Sequence, residues 1–386
     1  AQAILAPLRE PRVRAVRARG PQVPRRALPS ARCALACTCG AGSMAGISEG
    51  EVAVYDRQLR LWGVQAQQRL LKAKVLVWGM EGCNVEMCKN LVLAGVSLVI
   101  RDHRIVEPKD VAFNYFLREE DLGKSRAECA AKRVQEMNPL CAVSSDASPC
   151  KAATVAAMKE DLNGCDVVCM ALGVVGFDVA KACDVDAACR EVGSCFMMTM
   201  SAGELAFFFS DLNTHTVQER SSAQGAGPAD PHAEPPAPET LQFPSLTEWL
   251  ACSPIDLQKQ KADASIQFVA LFLAFAHKNA QAQPGASDAF VDFCKDSAKC
   301  VPSVDGYADL KQAYSCVFVE PLVHVASIVA GLLAQEVIKA ITKRDKPLEN
   351  SVCFNAHTSV AWVERIPAAA KAPAKRKAEE VADLLD

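Results

Sequence analysis

No C-x-x-C pair occurs in this chain, although it carries 18 cysteines. Zinc ribbons draw their ligands from such pairs, so that class is argued against. The histidines form no ligand spacing either. His103, His215, His277, His324 and His357 stand apart, and His324, in an apolar helical stretch, reads as a core histidine. A positive balance is also missing: the net charge of −3 gives no global pull toward nucleic acid. No run is long and pure enough to span a bilayer. The best stretch, 317–333, is broken by Glu320, Pro321 and His324.

The residues that are present suit a folded protein. The 386 residues are 50% hydrophobic and 23% charged, enough for one large or two ordinary domains. The cysteines are scattered through predicted helices and strands (Cys88, Cys129, Cys169, Cys316), as reduced, intracellular core residues would be. Charge is uneven. Residues 1–43 hold eight Arg, no Lys and one acid, a net +7, which leaves −10 for the remainder. Such an Arg-rich segment reads either as an organelle leader or as an extension upstream of a natural start at Met44. The segment after Met44 resembles a natural N-terminus, which favours the second.

The strongest local signal is 74–102. Val75-Leu76-Val77-Trp78 is a strand-type run, Gly79-Met80-Glu81-Gly82 a glycine turn, and Val85, Cys88, Leu91 and Val92 recur at helical spacing. Gly95 ends that helix, and a second apolar run closes on Asp102. Strand, glycine turn, helix, strand and acid form a dinucleotide-type βαβ unit. Gly79 and Gly82 would let the backbone approach a phosphate at a helix N-terminus, and Asp102 could hold a ribose hydroxyl. The match is incomplete. Glu81 and Asn84 replace the second and third glycines of G-x-G-x-x-G, and Glu81 puts negative charge where a phosphate would sit. On this stretch alone, a βαβ unit kept only for folding stands as readily as a nucleotide site.

Residues 48–73 read as a capped entry and two short helices, with Tyr55, Leu59 and Trp62 on one face and Arg57 and Arg60 on another. Residues 105–122 read as an irregular loop, and 127–137 as a helix stopped by Asn138-Pro139. Strands at 142–145, 165–172, 195–200 and 205–210 are interleaved with helices at 155–162 and 178–192. The pattern predicts an α/β fold, a Rossmann-like, mostly parallel sheet with helices on both faces, plus a small helical insert. The expected plan is a disordered Arg/Pro-rich extension (1–47), the first part of the sheet domain (48–213) and a disordered linker (214–242). The helical insert (243–309), the closing part of the domain (310–366) and a flexible Lys/Ala-rich tail (367–386) complete it.

YDRQLRLWG (55–63), the glycine turn, DLGKSRAE (121–128), MNP (137–139) and AGLLAQEVIKAI (330–341) occur in this order. Together they resemble the adenylation fold of the ubiquitin-like modifier activating enzymes, whose bacterial relatives adenylate small sulfur carriers. Length, Asp102-His103 after the second strand and the lack of a long inserted domain resemble the smaller, non-cysteine subunits that serve SUMO-type modifiers.

The departures from the family's active site are specific. Of its two acids after the second strand, Asp102 keeps the first and Arg104 replaces the second. Counted back from Gly123, Asp110 stands for its Asn and Phe113 for its first phosphate-binding Arg. Arg126 stands for its Lys, and Gly173-Val174 for the Thr-Asp that holds magnesium. The resemblance therefore implies a degenerate nucleotide site at Gly79, Gly82 and Asp102, no metal site, and ATP and Mg²⁺ bound mainly by a partner subunit. It implies one catalytic contribution: Arg57, reaching in trans to the ATP phosphates on the cysteine-bearing subunit of a heterodimer. The SUMO-type modifier is engaged through that complex, with no nucleic acid and no membrane. A salt-bridged surface Arg57 is the plain alternative. Cys252, Cys294 and Cys300 lie where catalytic subunits carry the thioester cysteine, but only Lys295 and Lys299 offer nearby positive charge.

The rivals are the corresponding neddylation subunit, whose insert should be much longer, a homodimeric sulfur-carrier adenylyltransferase, and a non-catalytic scaffold. KAPAKRK (371–377) points to the nucleus, with some cytoplasm, against the alternative of a solvated charged tail.

Overall fold

A computed structural model describes residues 47–149, 154–217, 238–252, 264–278, 282–297 and 310–366. Ser48 opens helix α1 (Glu49–Lys72) through a reciprocal capping box with Glu51. Gly63, at φ +83°, breaks α1 into the two halves the sequence implies. The βαβ unit comes next as β1 (Lys74–Trp78), α2 (Cys83–Leu93) and β2 (Ser97–Arg101), with its strands parallel. Then come α3 (Pro108–Phe113), α4 (Arg126–Met137), β3 (Val143–Asp146), α5 (Val155–Leu162), β4 (Val167–Ala171), α6 (Val179–Val192), β5 (Cys195–Ala202) and β6 (Leu205–Asp211). After the short strands β7 (Thr214–Val217) and β8 (Glu239–Gln242), the chain returns to helices. These are α7 (Leu246–Leu250), α8 (Ala264–Lys278), α9 (Ser287–Ser297), α10 (Leu310–Cys316) and α11 (Val323–Thr342); strands β9 (Ser351–Asn355) and β10 (Val360–Glu364) close the sheet.

The eight strands run β10-β9-β6-β5-β4-β1-β2-β3. The β3-to-β5 half is parallel and the rest antiparallel. Strand order reverses beside β1, the place where open α/β sheets present a ligand crevice. Side chains alternate across the sheet, so each central strand feeds two cores. Val75 and Val77 of β1 face a core built with α2, α4 and α11, while Leu76 and Trp78 face one built with α5, α6 and α8. In the second core Phe275 meets Phe290 edge-on at 5.4 Å.

Arg190 and Asp186 of α6 tie α7 to this core. Leu246 N–H donates to Asp186 (2.7 Å), Arg190 Nε to Asp211 (2.5 Å) and Arg190 Nη2 to the Phe243 carbonyl (2.6 Å). Asp186 and Asp211 are both buried. Burial first, and then the charge of Asp211, pushes the Asp186 carboxyl up to about 8.

Four expectations change. Residues 105–122 are not wholly irregular: α3 forms because Pro108 opens it and the Asp110 carboxylate accepts the Glu107 N–H at 2.8 Å. The ends of 214–242 pair as an antiparallel ribbon, β7 with β8, joined by Thr216 and Thr240 hydroxyls 3.3 Å apart; 218–237 lie outside the described residues. His324 is exposed at the start of α11, and among the described histidines the buried one is His215, whose Nε2 lacks a partner and whose pKa burial lowers to about 4. The long apolar helix begins at Val323, and although its length and composition would cross a membrane, it packs into the core through Val325, Val329, Leu333 and Val337.

Candidate functional site: a charge-filled cleft and an exposed arginine

The C-terminal ends of β1 and β4 and the N-terminus of α2 face a cleft of about 280 Å³. Small-molecule sites usually offer roughly 300–1,000 Å³. Gly79 and Gly82 both have positive φ, at +92° and +50°. A Cβ on Gly79 would come within 2.9 Å of Val174 Cβ, and one on Gly82 within 2.6 Å of Ser201 Oγ. The chain's own turn and packing therefore require both glycines. Gly82 lines the cleft, whereas Gly79 packs under Val174 and Ala171.

The ionised side chains of the cleft are matched to one another. The Glu81 carboxylate lies against Gly173 and pairs with Arg104 Nη1 at 2.8 Å, with Arg126 Nη1 at 4.0 Å. Asp102 is fully buried. It accepts from the N–H of Met80 (2.9 Å) and from Arg104 through its backbone N–H (3.0 Å), Nε (3.1 Å) and Nη2 (3.2 Å). Burial opposes the charge of Asp102, yet Arg104, Arg126 and the Met80 N–H together hold its pKa below the usual carboxylate range. Burial likewise opposes the charge of Arg104, and Glu81 and Asp102 overcome it and raise its pKa.

Arg126 is 3% exposed; its Nη2 sits 3.2 Å from Asp110, and its Nε, 3.7 Å from Asp102, has no hydrogen-bond partner. At the mouth, Lys109 reaches Glu320 (3.3 Å) and Glu107 (3.4 Å). Phe113 lines the wall, and the Asn114 amide donates to the Met80 carbonyl at 3.0 Å.

These residues do not fit a magnesium nucleotide. A phosphate in the turn would meet Glu81, and the ribose acid is consumed by Arg104. At 173–174, where the resemblance calls for a magnesium ligand, the chain offers Gly173 and Val174. Sequence reasoning singles out Glu81 and Arg104 separately and misses their ion pair. Opposite charges replacing two site positions are the available signal.

Arg57 stands elsewhere. It lies on the first half of α1, exposed, outside the cleft lining, with no ion pair or hydrogen bond among the described residues. Val54 (60% exposed) and Leu61 (68%) sit one turn to either side of it. Its neighbour Tyr55 is buried, and the Tyr55 hydroxyl accepts from Asn138 Nδ2 at 2.8 Å; the same amide donates to the Val92 carbonyl at 2.8 Å. Arg60, by contrast, pairs with Asp56 at 3.1 Å.

Among the insert cysteines, Cys294 is buried and burial pushes its thiol up to about 12, which removes it as a nucleophile. Cys252 is half-buried, and Cys300 lies outside the described residues. Among the described residues no group of His, Cys, Asp or Glu could hold a metal ion.

A crevice at the strand-order reversal and a glycine turn opening α2 define a Rossmann-like α/β protein, and the chain belongs to the ThiF family, whose model matches residues 55–377. More particularly, it is similar to SUMO-activating enzyme subunit 1 of Rattus norvegicus, at 30% identity over 352 residues, covering 84% of this chain and 96% of the relative. The Homo sapiens protein of the same name is 29% identical over 348 residues, covering 83% and 96%. Among solved structures, selenomethionine PaaA shares the fold at a TM-score of 0.51 and 15% identity, over 83% of this chain and 75% of that one.

Proposed function

We propose that this chain is the regulatory, non-thioester subunit of a heterodimeric SUMO-activating enzyme. The catalytic, cysteine-bearing subunit binds ATP and Mg²⁺ and adenylates the SUMO-type modifier; this chain completes that site and is inactive alone. The family, and the similarity to subunit 1 across nearly the whole length of the relatives, support the class. The observation that carries the division of labour is that the arginines in this chain's own cleft are bonded to its carboxylates, while Arg57 is exposed and unpaired among the described residues.

An arginine offered to a partner's phosphates stabilises charge as the transfer proceeds. Arg57→Ala should slow modifier adenylation by roughly 10²–10³, the scale of losing one such donor. ATP–pyrophosphate exchange by the reconstituted pair reads this directly, with size-exclusion chromatography as the assembly control. Near-normal exchange would leave only the scaffold role. The isolated chain should bind ATP–Mg²⁺ no tighter than about millimolar, against micromolar for a competent site; calorimetric titration decides. Nuclear enrichment, with some cytoplasm, is proposed from KAPAKRK (371–377), which lies outside the described residues. Deleting 367–386 should shift the chain toward the cytoplasm, and an unchanged distribution would remove the tail as the signal.

A further inference from the structure

Glu81 occupies a defined position. Arg104 Nη1 and Arg126 Nη1 converge on its Oε2 from 2.8 and 4.0 Å, inside a cleft that both arginines line. Arg126 is almost wholly buried, and its Nε lacks a hydrogen-bond partner. Ser201 and Thr199 line the same cleft, the Ser201 hydroxyl accepting from the Cys83 N–H (3.3 Å) and the Thr199 hydroxyl donating to Asn84 Oδ1 (3.3 Å). One guanidinium paired with that oxygen, and a second at the edge of ion-pair range whose Nη1 also donates to the Met80 carbonyl (3.4 Å), make an oxyanion-binding corner of the kind phosphates use. The oxygen they hold here is the chain's own.

We infer that the cleft is a phosphate-binding site closed by a tethered carboxylate, and that Glu81 is its plug. This rests on the reading that the chain's own nucleotide cleft is idle, and adds how it is kept so. A side chain attached beside its site competes as an intramolecular ligand at high effective concentration. A free anion then binds only through the fraction of molecules in which the plug has swung away. Glu81 can move: it is 28% exposed, and it abuts Gly173, which has no side chain to lock it.

Removing the plug need not cost the fold, because the arginines keep other partners. Arg104 retains its bonds to Asp102, and Arg126 its contact with Asp110. Of the remaining charges, Lys109 and Glu320 line the mouth and pair with each other, while Glu107, beside Lys109, leaves the trio one negative charge in excess.

The experiment uses the full chain without a partner, titrated calorimetrically with inorganic phosphate, pyrophosphate and ATP, each without added metal. Glu81→Ala should bind pyrophosphate at least about tenfold more tightly than the unaltered chain, the factor expected when a plug closed nine-tenths of the time is removed. Adding Arg104→Ala to that variant should abolish the gain. A preference for ATP over pyrophosphate would extend the site to the nucleoside; equal binding would confine it to the phosphates. If Glu81→Ala does not fold, Glu81→Gln, which keeps the shape and removes the charge, replaces it. A folded variant with no gain, or a gain that survives Arg104→Ala, overturns the inference. Neither result depends on Arg57, so this test and the exchange assay can fail separately.

Discussion

Arg57 and the pair Arg104 and Arg126 carry the same group to opposite ends. The cleft pair is half-buried or buried, and its ion pairs and hydrogen bonds go to Glu81, Asp102, Asp110 and the Met80 carbonyl. Arg57 is exposed and has no such partner among the described residues. A guanidinium keeps its charge in both places, but only an unpaired one can meet a new anion without first giving up an old one. Availability is what sets Arg57 apart from the cleft arginines, and it is the property the proposed trans role needs.

The strongest way to break this contrast is Asp102→Ala. It would leave Arg104 and Arg126 short of a buried counter-charge, and removing one partner of a buried pair costs about 3–5 kcal/mol. Urea unfolding should show that loss; an unchanged midpoint would mean the cleft arginines are not held as described. Arg57→Lys sharpens the other arm. It keeps the charge but not the planar fork, so exchange by the assembled pair should recover only part of what Arg57→Ala loses. Full recovery would make Arg57 a simple point charge.

Asp186 shows a third way to settle a buried charge, with a proton instead of an arginine. Its folded pKa of about 8 lies above the ordinary value of about 3.9. Between these values the folded chain holds a proton that the unfolded chain has released, so stability falls as pH rises from about 4 to about 8. Asp186→Asn, whose amide can still face Asp211, should flatten that slope in thermal unfolding. A slope equal to that of the unaltered chain would place the proton elsewhere. The smallest effect belongs to Arg60→Ala. Its pair with Asp56 is 78% and 51% exposed, and such surface pairs contribute about 0.3–0.5 kcal/mol. Exchange activity should be near normal; a large loss would show that Arg60 shares the role given to Arg57.

The sheet was legible because its strands are short apolar runs between glycine turns and capped helices, as at 74–102, where each element falls within two residues of its expected bounds. Residues 105–122 were not, because α3 depends on a cap made by two acids, Glu107 and Asp110, that look like ordinary loop residues. His324 was not, because an apolar helix still has an outward side: Val323 and His324 are exposed while the adjoining Val325 and Ala326 are buried. In the cleft, each departing residue could be read, but the Glu81–Arg104 bond depends on two loops meeting after strands β1 and β2.

Two of the sequence signatures, YDRQLRLWG and MNP, touch: Asn138 holds the Tyr55 hydroxyl two residues from Arg57. That bond bears on the entropy of assembly. A donor on a loose segment would have to be ordered each time two subunits meet, at about 1–2 kcal/mol for every backbone residue fixed. Here the backbone around Arg57 is already fixed when the chain folds, by a buried ring and a capped helix. Under the proposed trans role, one side chain would be left to order on docking.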